Sequence, residues 1–389
     1  MALPFRTFGV LLLTVFLDLL AFGMVIPILP LYALELHATP REIGLLVSVY
    51  SAMQLFFSPI LGRLSDRFGR RPVMLLSILG SMLSQLGYSQ VTSIGGLLLA
   101  RALAGACGAN ISAAQAYIAD VTDEKSRTPA MGMLGAALGL GFIFGPTLGG
   151  LLGGQGSASL PFLVAAGLSA VNLVWAIFAL REPLPAAERR ASRALRWSSL
   201  RETLAQPRLR VLLVLFFLIT LGFTEFEATF SIFAADRFHY GRREASYLFA
   251  FIGVNMVIAQ GVLVRRLVPR IGEARMMVIG VGLMALGLTS LAYTNHVVQL
   301  CIALGILALG MGLQSPSLSS LISKRAGGLQ GSVLGVSQSF GSLARIIGPL
   351  IGGFLLEQGV HVPIVAGGAL LFMATLLIAI AIDRPTESA

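Results

Sequence analysis

The sequence predicts an all-α membrane protein: twelve transmembrane helices in two pseudo-symmetric six-helix bundles. Three observations predict this. Of 389 residues, 56% are hydrophobic and only 12% charged, where a soluble domain carries about 25% charged residues. Twelve segments are mainly apolar, each near the ~20 residues that cross a bilayer as a helix. Two short blocks of sequence also recur one half-chain apart.

In order, the expected helices cover 8–33, 43–62, 73–90, 94–119, 129–153, 160–180, 210–235, 245–264, 275–294, 297–322, 330–356 and 361–382. The first carries Asp18 and lacks an Ala-x-Ala-like cleavage site, so it reads as a spanning helix and not as a signal peptide. An Arg-rich loop separates the second from the third. The fourth holds Arg101, Asn110 and Gln115; the fifth is rich in Gly; the sixth is mainly apolar. The seventh carries Glu225 and Glu227 among Phe223, Phe226 and Phe230. The eighth contributes Asn255 and Gln260, the tenth Gln314, and the eleventh Gln338 and Arg345. The ninth and twelfth contain no acid.

The stretch 182–209, rich in Arg, Glu, Ala and Pro, divides the chain into halves 1–181 and 210–389. Within it Trp197 and Leu200 fit either an amphipathic anchor at the membrane surface or a simple solvated linker. The repeated blocks fall in matching helices of the halves: GPTLGG at 145–150 and GPLIGG at 348–353, GRLSDRFGRR at 62–71 and GVLVRRLVPRIG at 261–272. Duplicated six-helix halves point to a transporter with its site between them.

Charge sets the orientation. Most of the 28 Lys and Arg fall in alternate loops, on the side of Arg63, Arg67, Arg70, Arg71 and the linker. The positive-inside rule then places both termini in the cytoplasm. The net charge of +10 faces anionic lipid, so no nucleic-acid partner is expected. Cys107 and Cys301 lie in apolar runs, which excludes a disulfide scaffold or a Cys-based zinc site. His37, His239, His296 and His361 are scattered one to an outer loop, so no metal is expected. No phosphate-loop motif is present, which argues against ATP as the energy source. No clustered catalytic set is present either, so an enzyme is not expected.

Gly62, Leu64, Asp66, Arg67, Gly69, Arg70 and Arg71 form the pattern G-x-L-x-D-R-x-G-R-R. It resembles the signature loop of the major facilitator superfamily. LDLLAFGMVIPILP from Leu17, RALAGACGA from Arg101 and GLGFIFGPTLGG from Gly139 resemble three further blocks of the 12-helix drug:proton antiporters. Within that group they are most similar to the tetracycline-resistance exporters. The resemblance implies the major facilitator fold in an inner membrane, working as a monomer. It implies alternating-access efflux of a small amphiphilic or cationic compound, driven by protons and without a cofactor. A carrier for a sugar, organic acid or lipid is the alternative. The resemblance further implies that Asp66 and Arg70 latch the outward-facing state with Asp120 as partner. It also makes Gly141, Gly145, Pro146, Gly149 and Gly150 the antiporter motif. Where those exporters carry acids in helices 3 and 9, this chain has Ser84 or Gln85, and none. Glu225 and Glu227 are additional. These departures point away from a metal chelate of tetracycline as substrate.

Ionisable residues inside a membrane are expensive and are functional candidates by default. Here they are Asp18, Arg101, Glu225, Glu227 and Arg345. At about 1.5 Å per residue, Asp18 and Arg101 reach similar depths, as do Glu225 and Arg345. One carboxylate–arginine pair is therefore expected in each half, with Asp18 the leading proton site and Glu225 facing the cavity. Asn110, Gln115, Phe226, Asn255, Gln260, Gln314 and Gln338 are expected to line that cavity. Gly62 is expected to let helices approach, and Gly69 to permit a tight turn.

Overall fold

The structure is a computed structural model and describes residues 5–108, 110–122, 124–153, 159–183, 205–325 and 330–382. Most of the linker expected at 182–209, with Trp197 and Leu200, lies outside them. The described residues are mostly helical, with short turns between the helices, and contain no strand.

Among the described residues, fifteen α-helices make up the spans. They are α1 (Phe5–Val25), α2 (Leu29–Glu35), α3 (Pro40–Phe68), α4 (Arg70–Gln90), α5 (Ile94–Cys107), α6 (Asn110–Val121), α7 (Glu124–Gly153) and α8 (Leu160–Ala179). Then come α9 (Pro207–Phe238), α10 (Arg242–Ile258), α11 (Arg265–Ile271), α12 (Glu273–Leu291), α13 (Val297–Arg325), α14 (Gln330–Leu356) and α15 (Val362–Ile382). Three expected spans are interrupted. Between α1 and α2 lies Pro27, which has no amide N–H to continue the ladder, and Pro30 sits in the first turn of α2. The fourth span breaks at Gly108, between α5 and α6. The eighth passes through a π-helical stretch, Ala259–Val264, between α10 and α11. That widened turn lies against Gly312, where a Cβ would sit 2.5 Å from the Cβ of Ala259.

Eleven described spans are long and apolar enough to cross a membrane. The remaining expected span, the third in order (α4), is less apolar, and its polar residues point inward. Ser77, Ser84 and Gln85 are buried, while Leu76, Leu79, Leu83 and Leu86 are exposed. An apolar outside and a polar inside suit a helix solvated by lipid, where buried polar groups must find partners within the protein. Phe178, 85% exposed, follows the same rule.

The chain forms two compact units. One takes the described residues of 1–39, 49–193 and 241–250; the other takes those of 40–48, 194–240 and 251–389. Each unit thus includes one helix tip from the opposite half of the sequence: the start of α10 in the first, the start of α3 in the second. The first unit has a core of Phe8, Leu11, Met74, Ile78, Tyr117 and Leu134. The Asn172 amide donates to the Thr14 carbonyl at 2.9 Å, tying α8 to α1. In the second unit, glycines bring backbones together. A Cβ at Gly222 would lie 2.8 Å from the Gly367 carbonyl oxygen, where α9 meets α15. Gly280 and Gly287 do the same where α12 meets α13. Close approach of small residues is how helices associate in lipid, where no hydrophobic effect drives them together.

Candidate functional site

Asp18 lies midway along α1, in the first unit. One carboxyl oxygen is enclosed and has no hydrogen-bond partner. Ser81 of α4 and Asn110 of α6 stand beside the carboxyl. Asn110 is buried because the break at Gly108 restarts the helix there, directing its amide inward. Gln85 donates across to the Ala21 carbonyl. The surroundings of Asp18 are therefore neutral and polar.

The expected pair of Asp18 with Arg101 does not form. The Arg101 guanidinium lies over the Tyr50 ring, 5.1 Å from its centroid, and beside the hydroxyl of Tyr88. Depth along a helix does not determine which face a side chain occupies. On its face of α5, Arg101 meets an aromatic surface that attracts a cation.

The pair of Glu225 with Arg345 is also absent. In the second unit, Gly352 of α14 packs on the backbone of Glu225, and Gly341 lies beside the Arg345 guanidinium and Phe216. Arg345 thus sits about two turns short of Glu225 along α14, roughly 10 Å. Glu225 is completely buried, with neither carboxyl oxygen hydrogen-bonded. It is directed toward Gly367 of α15 and not into a cavity lined by polar side chains. Glu227 is half-buried.

The other expected lining residues divide. Gln115 and Gln338 are exposed, and Asn255 and Gln260 half-buried; Asn255 donates back to the Phe251 carbonyl within α10. Two expectations are corrected. Phe226 is fully enclosed between the rings of Phe223 and Phe230. Gln314 is buried where Gly280 of α12 presses on its backbone. Both are packing residues.

The Arg-rich loop forms a clasp within the first unit. The Arg70 guanidinium bonds the carboxylates of Asp66 and of Asp120, the latter at 2.8 Å, and the Ser65 hydroxyl. Gly69 has φ +110°, a backbone conformation suited to glycine, and caps the start of α4. Sequence reasoning missed one member. Glu182, just after α8, accepts from the backbone N–H groups of Arg70 at 2.8 Å and Arg71 at 3.0 Å. A carboxylate at a helix N-terminus satisfies orphan donors and complements the helix dipole. A Cβ at Gly69 would lie 2.4 Å from that carboxylate, which is a second reason for glycine there. The only signal was an acid at the edge of the linker. Arg71 reaches the Ile177 carbonyl of α8, and Arg67 lies over the Phe68 ring. Gly62, expected at a close helix approach, has open space around it.

The antiporter motif lies along α7 as a seam against α1. A Cβ at Gly141, Gly145 or Gly149 would come within 2.6–2.8 Å of Leu19, of Leu20 and Gly23, or of Met24, and Pro146 lies against Gly23. Gly150 faces Ser246 at the start of α10, where Arg242 pairs with Glu35 at 2.8 Å. The repeat on α14 does the equivalent in the second unit. Gly348 and Gly352 pack on α9, while Pro349 and Gly353 meet Gly44 at the start of α3. There Arg41 pairs with Glu357 at 2.8 Å. Gly149→Leu is expected to force α1 from α7, since its Cβ would meet the Met24 carbonyl oxygen at 2.6 Å. Such overpacking costs about 1–3 kcal/mol. Transport per inserted molecule should fall at least tenfold on the free-energy scale of about 1.4 kcal/mol per tenfold. Unchanged transport in membrane vesicles would contradict the seam.

The family model described as the Major Facilitator Superfamily matches residues 11–349 and 228–389. Multidrug resistance protein 2 of Bacillus subtilis (strain 168) is 30% identical, over 98% of this chain and 96% of that protein. Tetracycline resistance protein, class E, of Escherichia coli is 35% identical, over 90% of this chain and 88% of that protein. Among solved structures, the human organic anion transporter MFSD10 (TETRAN) matches with a TM-score of 0.71 and 26% identity. That match covers 96% of this chain and 99% of the other.

Proposed function

The chain belongs to the major facilitator superfamily, and we propose that it exports small amphiphilic or cationic compounds in exchange for protons, by alternating access. The observation that carries this reading is Asp18: an acid midway along a membrane helix, one oxygen without a partner, among neutral polar groups. With no arginine paired to it among the described residues, the carboxyl can gain and lose a proton without breaking an ion pair. Asn110 and Ser81 offer hydrogen bonds in either state. The names of the similar multidrug and tetracycline resistance proteins support drug-like substrates and export.

The working halves are 1–181 and 210–389, joined by the 182–209 linker. The clasp of Asp66, Arg70 and Asp120 favours the outward-facing state, and the glycine seams on α7 and α14 guide the movement. Both termini are cytoplasmic and the chain works as a monomer in an inner membrane, with the proton gradient as sole energy source and no cofactor. A broad metal-chelate substrate is disfavoured, because the acids of helices 3 and 9 are lacking.

Everted vesicles test this reading. With an acid interior, those carrying the protein should accumulate the lipophilic cation ethidium, and collapse of the pH gradient should release it. Accumulation that ignores the gradient, or no accumulation of any amphiphile in a screen, would overturn it.

A further inference from the structure

The two repeated loops use their arginines differently. In GRLSDRFGRR every arginine has a partner within the protein. Arg63 donates to the Pro59 carbonyl at 3.2 Å, Arg67 lies over the Phe68 ring, Arg70 holds the clasp, and Arg71 donates to the Ile177 carbonyl. In GVLVRRLVPRIG, none of Arg265, Arg266 and Arg270 has a hydrogen bond, ion pair or ring contact among the described residues. All three are exposed, and α11, which carries them, has no buried residue. The next acid along the chain, Glu273, is already engaged: it accepts from the Ser320 hydroxyl at 2.7 Å and pairs with Lys324 at 2.8 Å.

Sequence sets the depth of these arginines. The 20 residues 245–264 carry no charge, and about 20 helical residues cross the hydrocarbon of a bilayer. Arg265 and Arg266 are the first residues beyond that run, which puts them at the level of lipid phosphates. An apolar row leads to them. Phe251, Val254, Ile258 and Val262 are exposed at spacings of three or four residues, and Arg266 and Arg270 continue the spacing. Gly261, next to Val262, is also exposed, and a Cβ there would have no atom within 4 Å. Exposed apolar side chains suit hydrocarbon, and unpaired guanidinium groups suit an anion. Both occur here on one continuous surface.

We propose that α11 and the adjoining face of α10 form a binding site for an anionic phospholipid. Its phosphate meets Arg265, Arg266 and Arg270, and its acyl chains lie along Val254, Ile258 and Val262. The planar fork of arginine matches phosphate oxygens two at a time. A zwitterionic headgroup offers the same phosphate but brings its own ammonium, which the three arginines repel. A bound lipid holds α11 at the membrane surface, where no burial within the protein holds it. The first-half loop is not such a site, because its arginines are taken by the protein. The proposal does not depend on the export reading.

The test uses the whole protein in detergent, mixed with equal amounts of phosphatidylglycerol and phosphatidylcholine of identical acyl chains. Bound lipid is counted by native mass spectrometry. Phosphatidylglycerol should be retained in preference. Replacing the three arginines together (R265Q, R266Q and R270Q) should lower its retention about tenfold or more, since each basic residue at a membrane surface adds to the attraction. Lysine at the same three positions should keep most of it, and R63Q with R67Q should leave it unchanged. Equal retention of the two lipids, or full retention by the glutamine variant, would overturn the proposal. So would an equal loss in the R63Q and R67Q variant, which would make the attraction a property of the whole basic surface. Release of the lipid by inorganic phosphate would make the ligand a soluble anion and overturn it too.

Discussion

Asp18→Asn is expected to reduce pH-driven export to the level of vesicles without the protein, while membrane insertion is unaffected. Asn has the shape of protonated Asp and would stand beside Asn110 and Ser81 as Asp18 does, so packing around α1 is preserved. What it lacks is the ability to release a proton. Because Arg101 lies over the Tyr50 ring and does not pair with Asp18, removing the Asp18 charge breaks no ion pair. The effect should therefore be on coupling and not on stability. Two measurements separate these: gradient-driven ethidium accumulation, which should be lost, and ethidium exchange without a gradient, which should persist. Full gradient-driven accumulation in the variant would remove Asp18 from the mechanism.

Arg70→Ala should produce the next largest effect. One guanidinium serves Asp66, Asp120 and Ser65, so its removal leaves two carboxylates together without a cation. Hydrogen bonds to charged groups contribute about 1.5–3 kcal/mol each. Partial exposure of both acids reduces that figure. A net loss near 1.4 kcal/mol changes a conformational ratio about tenfold. In the proposed cycle the outward-facing state loses population. A cysteine replacing Ser246, buried against Gly150 at the start of α10, reports that state. In the Arg70→Ala background it should react with a maleimide about tenfold more slowly than in the parent. Asp66→Asn should shift it in the same direction by less, and Glu182→Gln by less again, since an amide oxygen can still cap α4. Equal rates in all of these would contradict the clasp.

The architecture was legible because lipid selects long apolar segments, and each expected segment is mainly helical, in one helix or two. The clasp was legible because the loop resembles the superfamily's signature loop, and Asp66 and Arg70 flank the turn at Gly69. The interruptions were harder to read. Pro27 and Gly108 were visible as residues, but whether a helix bends or breaks at them depends on its neighbours. The π-helical stretch beside Gly312 has no local signature at all. Both intramembrane ion pairs failed for one reason: depth follows from residue counts, whereas facing follows from packing. Gly348 and Gly352 set α14 on α9 in a register that leaves Arg345 two turns from Glu225. Glu182 was missed because its partners are backbone N–H groups, which a search for opposite charges does not consider.

The central claim is that Asp18 carries the exchanged proton. The most direct test is proton release from purified protein in weakly buffered solution when a transported cation is added. The wild-type protein should release protons on binding, and Asp18→Asn should bind the same compound and release none. Equal release from both proteins would contradict the account.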